Sequence, residues 1–147
     1  MANPTRWTQE MIDEYFKKGF WSSMLVADFW EQNAKEYPDK EALVDSKTRF
    51  TWAQAKRHAD RLALGFLELG LKKNECLVMQ LPSVVESFTV RVACEKAGIV
   101  CITPLMTLRH KEMEYTLNYV EAAAVVVPWE YRNFNYFDMM QELRSKR

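Results

Sequence analysis

Glycine is scarce in this 147-residue chain: Gly19, Gly65, Gly70 and Gly98 are the only four, and no pair has G-x-G or G-x-x-x-x-G-K spacing. Close approach of a backbone to phosphate needs missing side chains, so a dinucleotide fingerprint and a phosphate-wrapping loop are both excluded. Histidine is scarcer still. His58 and His110 fall far apart, without the further ligands at defined spacing that a metal site requires. The three cysteines, Cys76, Cys94 and Cys101, are an odd number without C-x-x-C spacing, and each sits in an apolar segment. They read as small buried hydrophobes in a reduced compartment, not as a disulfide framework. No apolar run approaches the length of a membrane span, and the polar first ten residues lack the basic and apolar regions of a secretory signal. A soluble, cytoplasmic protein is the expectation. Excess charge is absent too: twenty basic and twenty acidic side chains cancel, with no basic block. That balance argues against nucleic acid and membrane as partners and leaves small molecules or proteins.

What the chain does have is apolar material, 48% hydrophobic and 13% aromatic, enough for the core of one domain. Residues Trp7 to Phe20 carry Met11, Ile12, Tyr15 and Phe16 at helical spacing, and Gly19 offers a left-handed stop. A second helix is expected from Leu25 to Glu36, with Val26, Phe29, Trp30 and Ala34 as its apolar face and Pro38 setting its end. Residues 1–24 thus read as an N-terminal helical extension and 25–147 as an α/β unit.

Ala42-Leu43-Val44 reads as a strand, Asp45 to Thr48 as a turn and Arg49-Phe50 as its return. Thr51 and Gln54 form a capping box for a helix whose inward positions are Trp52, Ala55, Ala59, Leu62, Phe66 and Leu69, with Lys56, Arg57, Asp60 and Glu68 facing solvent. Asn74 stands where a positive φ is expected. Cys76 to Met79 is an unbroken apolar run of strand length, the pattern of an interior parallel strand. Ser83 and Glu86 suggest a second capping box, opening a nearly all-apolar helix that runs to Gly98. Ile99 to Ile102 reads as another buried strand, Arg109 to Val120 as a helix, Ala124 to Val127 as a strand and Phe137 to Leu143 as a last helix, with Arg144 to Arg147 fraying. Helices of that length between strands require crossovers. The fold class is therefore α/β, a mostly parallel sheet with helices on both faces.

Ligands of such sheets bind beyond the carboxyl ends of the strands, here Gln80 to Val84, Thr103 to Thr107 and Pro128 to Arg132. Ser83 could hold an anion with a helix N-terminus, and Thr103 with Thr107 could line a cleft, but capping and turn chemistry account for all three more simply. Glu112 and Glu114 are too close in sequence to share a helical face and read as solvated surface. Trp129, Tyr131, Phe134, Tyr136 and Phe137 lack clean periodicity and could cover a surface that further chain would bury. On these residues, no catalytic, cofactor-binding or metal-ligating set emerges.

An ordered series of short motifs adds a family. Tyr37-Pro38-Asp39-Lys40, Ala42-Leu43-Val44-Asp45, Phe50-Thr51-Trp52, Ala59-Asp60-Arg61-Leu62-Ala63, Leu69-Gly70-Leu71, Leu81-Pro82-Ser83, Lys96-Ala97-Gly98 and Thr103-Pro104-Leu105 follow in turn. Together they resemble the N-terminal portion of adenylate-forming acid:CoA ligases, the AMP-binding or acyl-CoA synthetase enzymes. The flavour is that of aryl or alicyclic acid ligases, such as dihydroxybenzoate–AMP ligase and cyclohexanecarboxylate–CoA ligase. The resemblance implies a parent enzyme that uses ATP and Mg²⁺ to convert a carboxylic acid to an acyl-adenylate and then passes the acyl group to coenzyme A. It implies no catalytic residue here, since the family's Ser/Thr/Gly-rich phosphate loop, aromatic-Gly-x-Thr-Glu segment, ribose-binding Asp and catalytic Lys match no position. Two readings follow: an inactive scaffold fragment of such a ligase, or a free-standing, non-catalytic interaction module derived from the family. In either case, self-association through exposed apolar surface is expected.

Overall fold

The computed structural model describes residues 7–145. Three parallel strands form its centre: β3 (Cys76–Met79) lies between β4 (Val100–Ile102) and β5 (Ala124–Val126). Helix α4 (Val85–Ala97) joins β3 to β4, and α5 (His110–Tyr119) carries the chain from β4 across β3 to β5. Because the second crossover runs in the opposite direction to the first, crossovers of one hand place α4 and α5 on opposite faces of the sheet. Alternation along β3 confirms this. Leu77 and Met79 enter one core with Phe66, Val90, Ala93 and Cys94, while Val78 enters another with Met113, Leu117, Tyr136, Met139 and Leu143.

The first face is covered by α4 and α3 (Trp52–Glu68), whose Ala55, Ala59 and Ala63 recur every four residues and are buried. Small side chains in that row let α4 and α2 (Val26–Glu36) approach α3 closely. Thr51 caps α3 as its sequence requires: its Oγ1 accepts from Gln54 N–H at 3.3 Å, and Gln54 Oε1 accepts from Thr51 N–H at 2.9 Å. At the far end of α4, Gly98 takes φ +72°, and a Cβ there would crowd Lys73 Cγ at 3.2 Å. Its carbonyl accepts from Asn74 N–H, itself at φ +69°, so this turn is fixed from both sides.

Beside this unit, β1 (Glu41–Val44) and β2 (Arg49–Thr51) pair antiparallel as a separate hairpin. On the second face of the sheet α5 packs with α6 (Tyr136–Ser145), which is entered through a short hairpin, β6 (Glu130–Tyr131) and β7 (Phe134–Asn135). α1 (Gln9–Lys17) buries none of its residues; Tyr15 and Phe16 instead meet Trp21 edge-on, and Trp7 joins them. Among the described residues no helix is long and apolar enough to cross a membrane.

Several local expectations are corrected. In α2 the buried positions are Ala27 and Trp30, whereas Val26 and Phe29 are exposed, a rotation set by Ala27 and Trp30 packing on α3. Strand β4 is an edge strand, with Val100 exposed; an apolar run cannot by itself tell an edge from an interior. Leu69 is 79% exposed, and Ala63 takes its inward place. Cys94 is buried, but Cys76 and Cys101 are only half-buried. Arg144 and Ser145 belong to α6, and the other two residues of the expected frayed end lie outside the described residues.

Two helix N-termini are capped by carboxylates from elsewhere in the chain. Ser83 is exposed and does not close α4; the Val85 N–H donates to Asp45 Oδ2 at 3.0 Å, from the β1–β2 turn. In return, Glu95 near the end of α4 accepts from the N–H groups of Val26 and Ala27, at 3.2 and 2.9 Å, in the first turn of α2. Carboxylates at these positions satisfy orphan donors and complement the helix dipole.

Candidate functional site

Open parallel sheets bind ligands beyond the carboxyl ends of their strands, and here the loops leaving β3 and β4 run to opposite faces of the sheet, opening a crevice between the two strand ends. Here that crevice is occupied by the protein itself. Gln80, directly after β3, is fully buried; its N–H continues the ladder to Val126, and its Nε2 donates to the carbonyls of Leu105 and Leu108 at 2.8 and 3.1 Å. The side chain therefore stitches the end of the central strand to the loop after β4. Its Oε1 is buried without a donor among the described residues.

The loop that Gln80 holds is fixed again from below. Tyr136, 1% exposed, donates its hydroxyl to the Met106 carbonyl at 2.7 Å. Arg109 Nη1 donates to the carbonyls of Met106 and Leu108 and to the Tyr136 hydroxyl, and its guanidinium lies 4.1 Å over the Phe134 ring and 5.3 Å from that of Tyr136. Cation–π attraction and carbonyl dipoles thus share one cation. The Arg109 N–H donates to Glu112, so Glu112 closes the first turn of α5 instead of standing free on the surface. The backbone N–H groups of Glu112 and Arg109 hold the Glu112 carboxyl below its ordinary range.

Of the residues flagged in the sequence, Thr103 and Thr107 are exposed at this loop and Ser83 is exposed on the neighbouring one. His58 stacks on Phe50 at 4.4 Å, while His110 meets Glu142 of α6 at 3.0 Å. Among the described residues no three His, Cys, Asp or Glu side chains gather as a metal ion would need. At this crevice both amide donors of Gln80 are already used on the carbonyls of Leu105 and Leu108. Gln80 and Arg109 were not singled out from the sequence. The available signal was a polar residue placed directly after an all-apolar strand.

The aromatic stretch after β5 is partly a surface and partly a core. Tyr136 is buried, whereas Trp129 is 66% exposed and stacks flat on Phe137, 4.3 Å between centroids. Nearby, a cavity of about 520 Å³ opens beneath the outer edge of β5, lined among others by Leu117, Ala122, Ala124, Met140 and Leu143.

A different polar cluster lies between α2, α3 and α4. Lys96 pairs with both Glu31 and Asp60, and Lys56 pairs with Asp60 at 2.6 Å and with Glu31 at 3.1 Å. Lys56 and Asp60, expected to face solvent, are instead half-buried in this quartet. Burial raises the carboxyl pKa values of Glu31 and Asp60, but hydrogen bonds from the two lysines outweigh it and hold both below their ordinary range. The Asp60 hydrogen bond holds the Lys56 ammonium above its usual value; for Lys96, burial opposes but the two carboxylates prevail. Every charge is partnered, so the quartet clamps three helices together and presents no free group to a substrate.

Comparison with known proteins identifies the scaffold. The chain is 32% identical over 142 residues to the 2,3-dihydroxybenzoate-AMP ligase of Bacillus subtilis (strain 168), an alignment that covers 97% of this chain and 26% of that protein. It is 29% identical over 133 residues to the medium-chain fatty-acid–CoA ligase of Escherichia coli (strain K12), covering 90% of this chain and 24% of the relative. Among solved structures, MbtA of Mycobacterium smegmatis superposes with a TM-score of 0.87 at 28% identity, over 97% of this chain and 26% of that one. The chain spans about a quarter of the length of the relatives it matches. With the AMP-binding enzyme model matching residues 30–147 and the fold that of the N-terminal part of adenylate-forming enzymes, the chain belongs to the AMP-binding enzyme family.

Proposed function

We propose that this chain is the N-terminal scaffold of an ATP-dependent acid:CoA ligase and is catalytically inactive by itself. The longer enzyme would activate a carboxylic acid as its acyl-adenylate and transfer the acyl group to the thiol of coenzyme A, with ATP, Mg²⁺ and CoA bound by the three-quarters of the family's length that this chain does not span. The observation that carries the proposal is the occupied crevice between the ends of β3 and β4. Both amide donors of Gln80, the Tyr136 hydroxyl and Arg109 Nη1 are engaged on the 105–108 loop, so these groups brace the loop instead of facing a reacting group. Acid-dependent ATP–pyrophosphate exchange by the 147-residue chain, tried with a panel of aryl, alicyclic and medium-chain acids, tests this. No exchange above background is expected, and acid-dependent exchange would overturn the assignment.

A second reading, a free-standing interaction module, draws on the outer edge of β5. That edge carries Val125, 40% exposed, beside the cavity under α5 and α6. An unpaired edge next to apolar surface favours pairing with another copy of the chain. Sedimentation equilibrium of the chain should show concentration-dependent dimerisation that Val125→Lys weakens. A clean monomer at all concentrations would remove this reading.

A further inference from the structure

We propose that Cys94 and Cys101 form a built oxidation site, in which a peroxide converts the two thiols to a disulfide joining the last turn of α4 to the edge strand β4. The sheet register makes the pairing specific. Cys101 stands opposite Leu77 in the parallel β3–β4 pair, so both side chains point to the α3–α4 face. Leu77 and Cys94 belong to the core on that face, and Cys101 packs against it. Cys76, one residue before Leu77, points to the opposite face of the sheet and is excluded from the pair. The intervening turn is held closed by the Ile99 N–H, which donates to the Cys94 carbonyl at 2.8 Å.

The two sulfurs are differently placed. Cys101 is half-buried and opens onto a cavity of about 260 Å³ lined also by Arg91, Glu95, Ile99 and Thr103, whereas Cys94 is fully buried behind it. Glu95 carries its carboxylate on the amides of Val26 and Ala27. A hydrogen bond from Cys94 lowers the Cys101 thiol pKa; burial opposes this, and the Arg91 charge adds to it. The same contact, with burial, pushes the Cys94 thiol up. A thiolate is the nucleophile in such oxidations, and an exposed, cation-flanked one reacts first.

The chemistry balances without further reagents. The Cys101 thiolate attacks one oxygen of hydrogen peroxide, the O–O bond breaks, and the departing hydroxide takes a proton to become water. Cys94 then attacks the resulting sulfenic sulfur; its thiol proton leaves with the hydroxyl as a second water, and the S–S bond forms. Two thiols are oxidised and one peroxide is reduced.

The test uses the 147-residue chain treated with hydrogen peroxide, then alkylated, cleaved with trypsin and read by mass spectrometry. The expected product is peptide 92–96 joined to peptide 97–109 by a bond that dithiothreitol reverses, while Cys76 in peptide 74–91 remains alkylated. Cys101→Ala should leave Cys94 reduced at the same peroxide dose. Cys94→Ala should instead let dimedone trap a sulfenic acid at Cys101. Should Cys94→Ala not fold, the wild-type peptide map and Cys101→Ala still decide. Cross-linking of Cys101 to Cys76 or to a second chain, or equal oxidation of all three cysteines, would overturn the proposal.

Discussion

The two faces of the central sheet solve the same burial problem with opposite materials. On one, α3 and α4 meet through alanines and are clamped at their rim, with α2, by the Glu31–Lys56–Asp60–Lys96 quartet. On the other, α5 and α6 use Met113, Leu117, Tyr136, Met139 and Leu143, joined at the surface by the exposed pair His110–Glu142, and leave a cavity beneath β5. Small side chains give close helix contact with no room to spare. Large flexible ones fill a wider gap less completely.

The contrast makes the faces fail differently. Met113 is fully buried in the second core, and Met113→Ala should cost about 2–5 kcal/mol in urea unfolding, because the gap it leaves adds a cavity term to the lost transfer energy. Enlargement should hurt the first face: Ala59, also fully buried, when changed to Leu should cost about 2–3 kcal/mol by overpacking α3. An Ala122→Leu change, at the cavity wall, should be nearly neutral in the same assay. If Ala122→Leu proved as costly as Ala59→Leu, the difference in packing would not hold.

The charge clusters sharpen the comparison at smaller scale. Lys96→Met leaves Glu31 and Asp60 sharing Lys56 alone and should cost about 1–2 kcal/mol, between the values for exposed and buried pairs. Because the folded pKa values of Glu31 and Asp60 lie below their ordinary 4.5 and 3.8, their contribution is complete above the upper value and is lost as pH falls through the folded ones. Lys56 and Lys96, raised above 10.5, contribute fully below that value and lose their contribution as pH rises past it. Melting temperature against pH should therefore fall less steeply at acid pH in Lys96→Met than in the parent. His110→Ala, across the sheet, should cost no more than about 0.5 kcal/mol, since its partner pair is exposed on both sides.

What the sequence made legible was what neighbours in sequence decide. The Thr51–Gln54 capping box, the positive φ of Asn74, the stop at Gly98 and the interior position of Cys76 to Met79 all rest on residues within one turn or one strand. What escaped depends on distant partners. Ser83 had the chemistry of a cap, but Asp45 reaches the α4 amide first, from forty residues away. Lys56 and Asp60 read as solvent-facing positions, whereas Lys96 and Glu31 from two other helices draw them into the quartet. The β6–β7 turn places Arg132 and Asn133 both at positive φ without the glycine that usually announces such a hairpin. Gln80 escaped for the same reason as the quartet, since the carbonyls that engage it belong to a loop more than twenty residues on.

The exchanged carboxylates of Asp45 and Glu95 tie the assembly order of three elements together. The first turn of α4 lacks a partner until the β1–β2 turn has docked, and the first turn of α2 lacks one until the end of α4 is in place. None of the three can mature early and wait for the rest, so they should open and close as one cooperative block. In native-state hydrogen exchange the amides of Val26, Ala27 and Val85 would then share a single opening event, although they lie at opposite ends of α4.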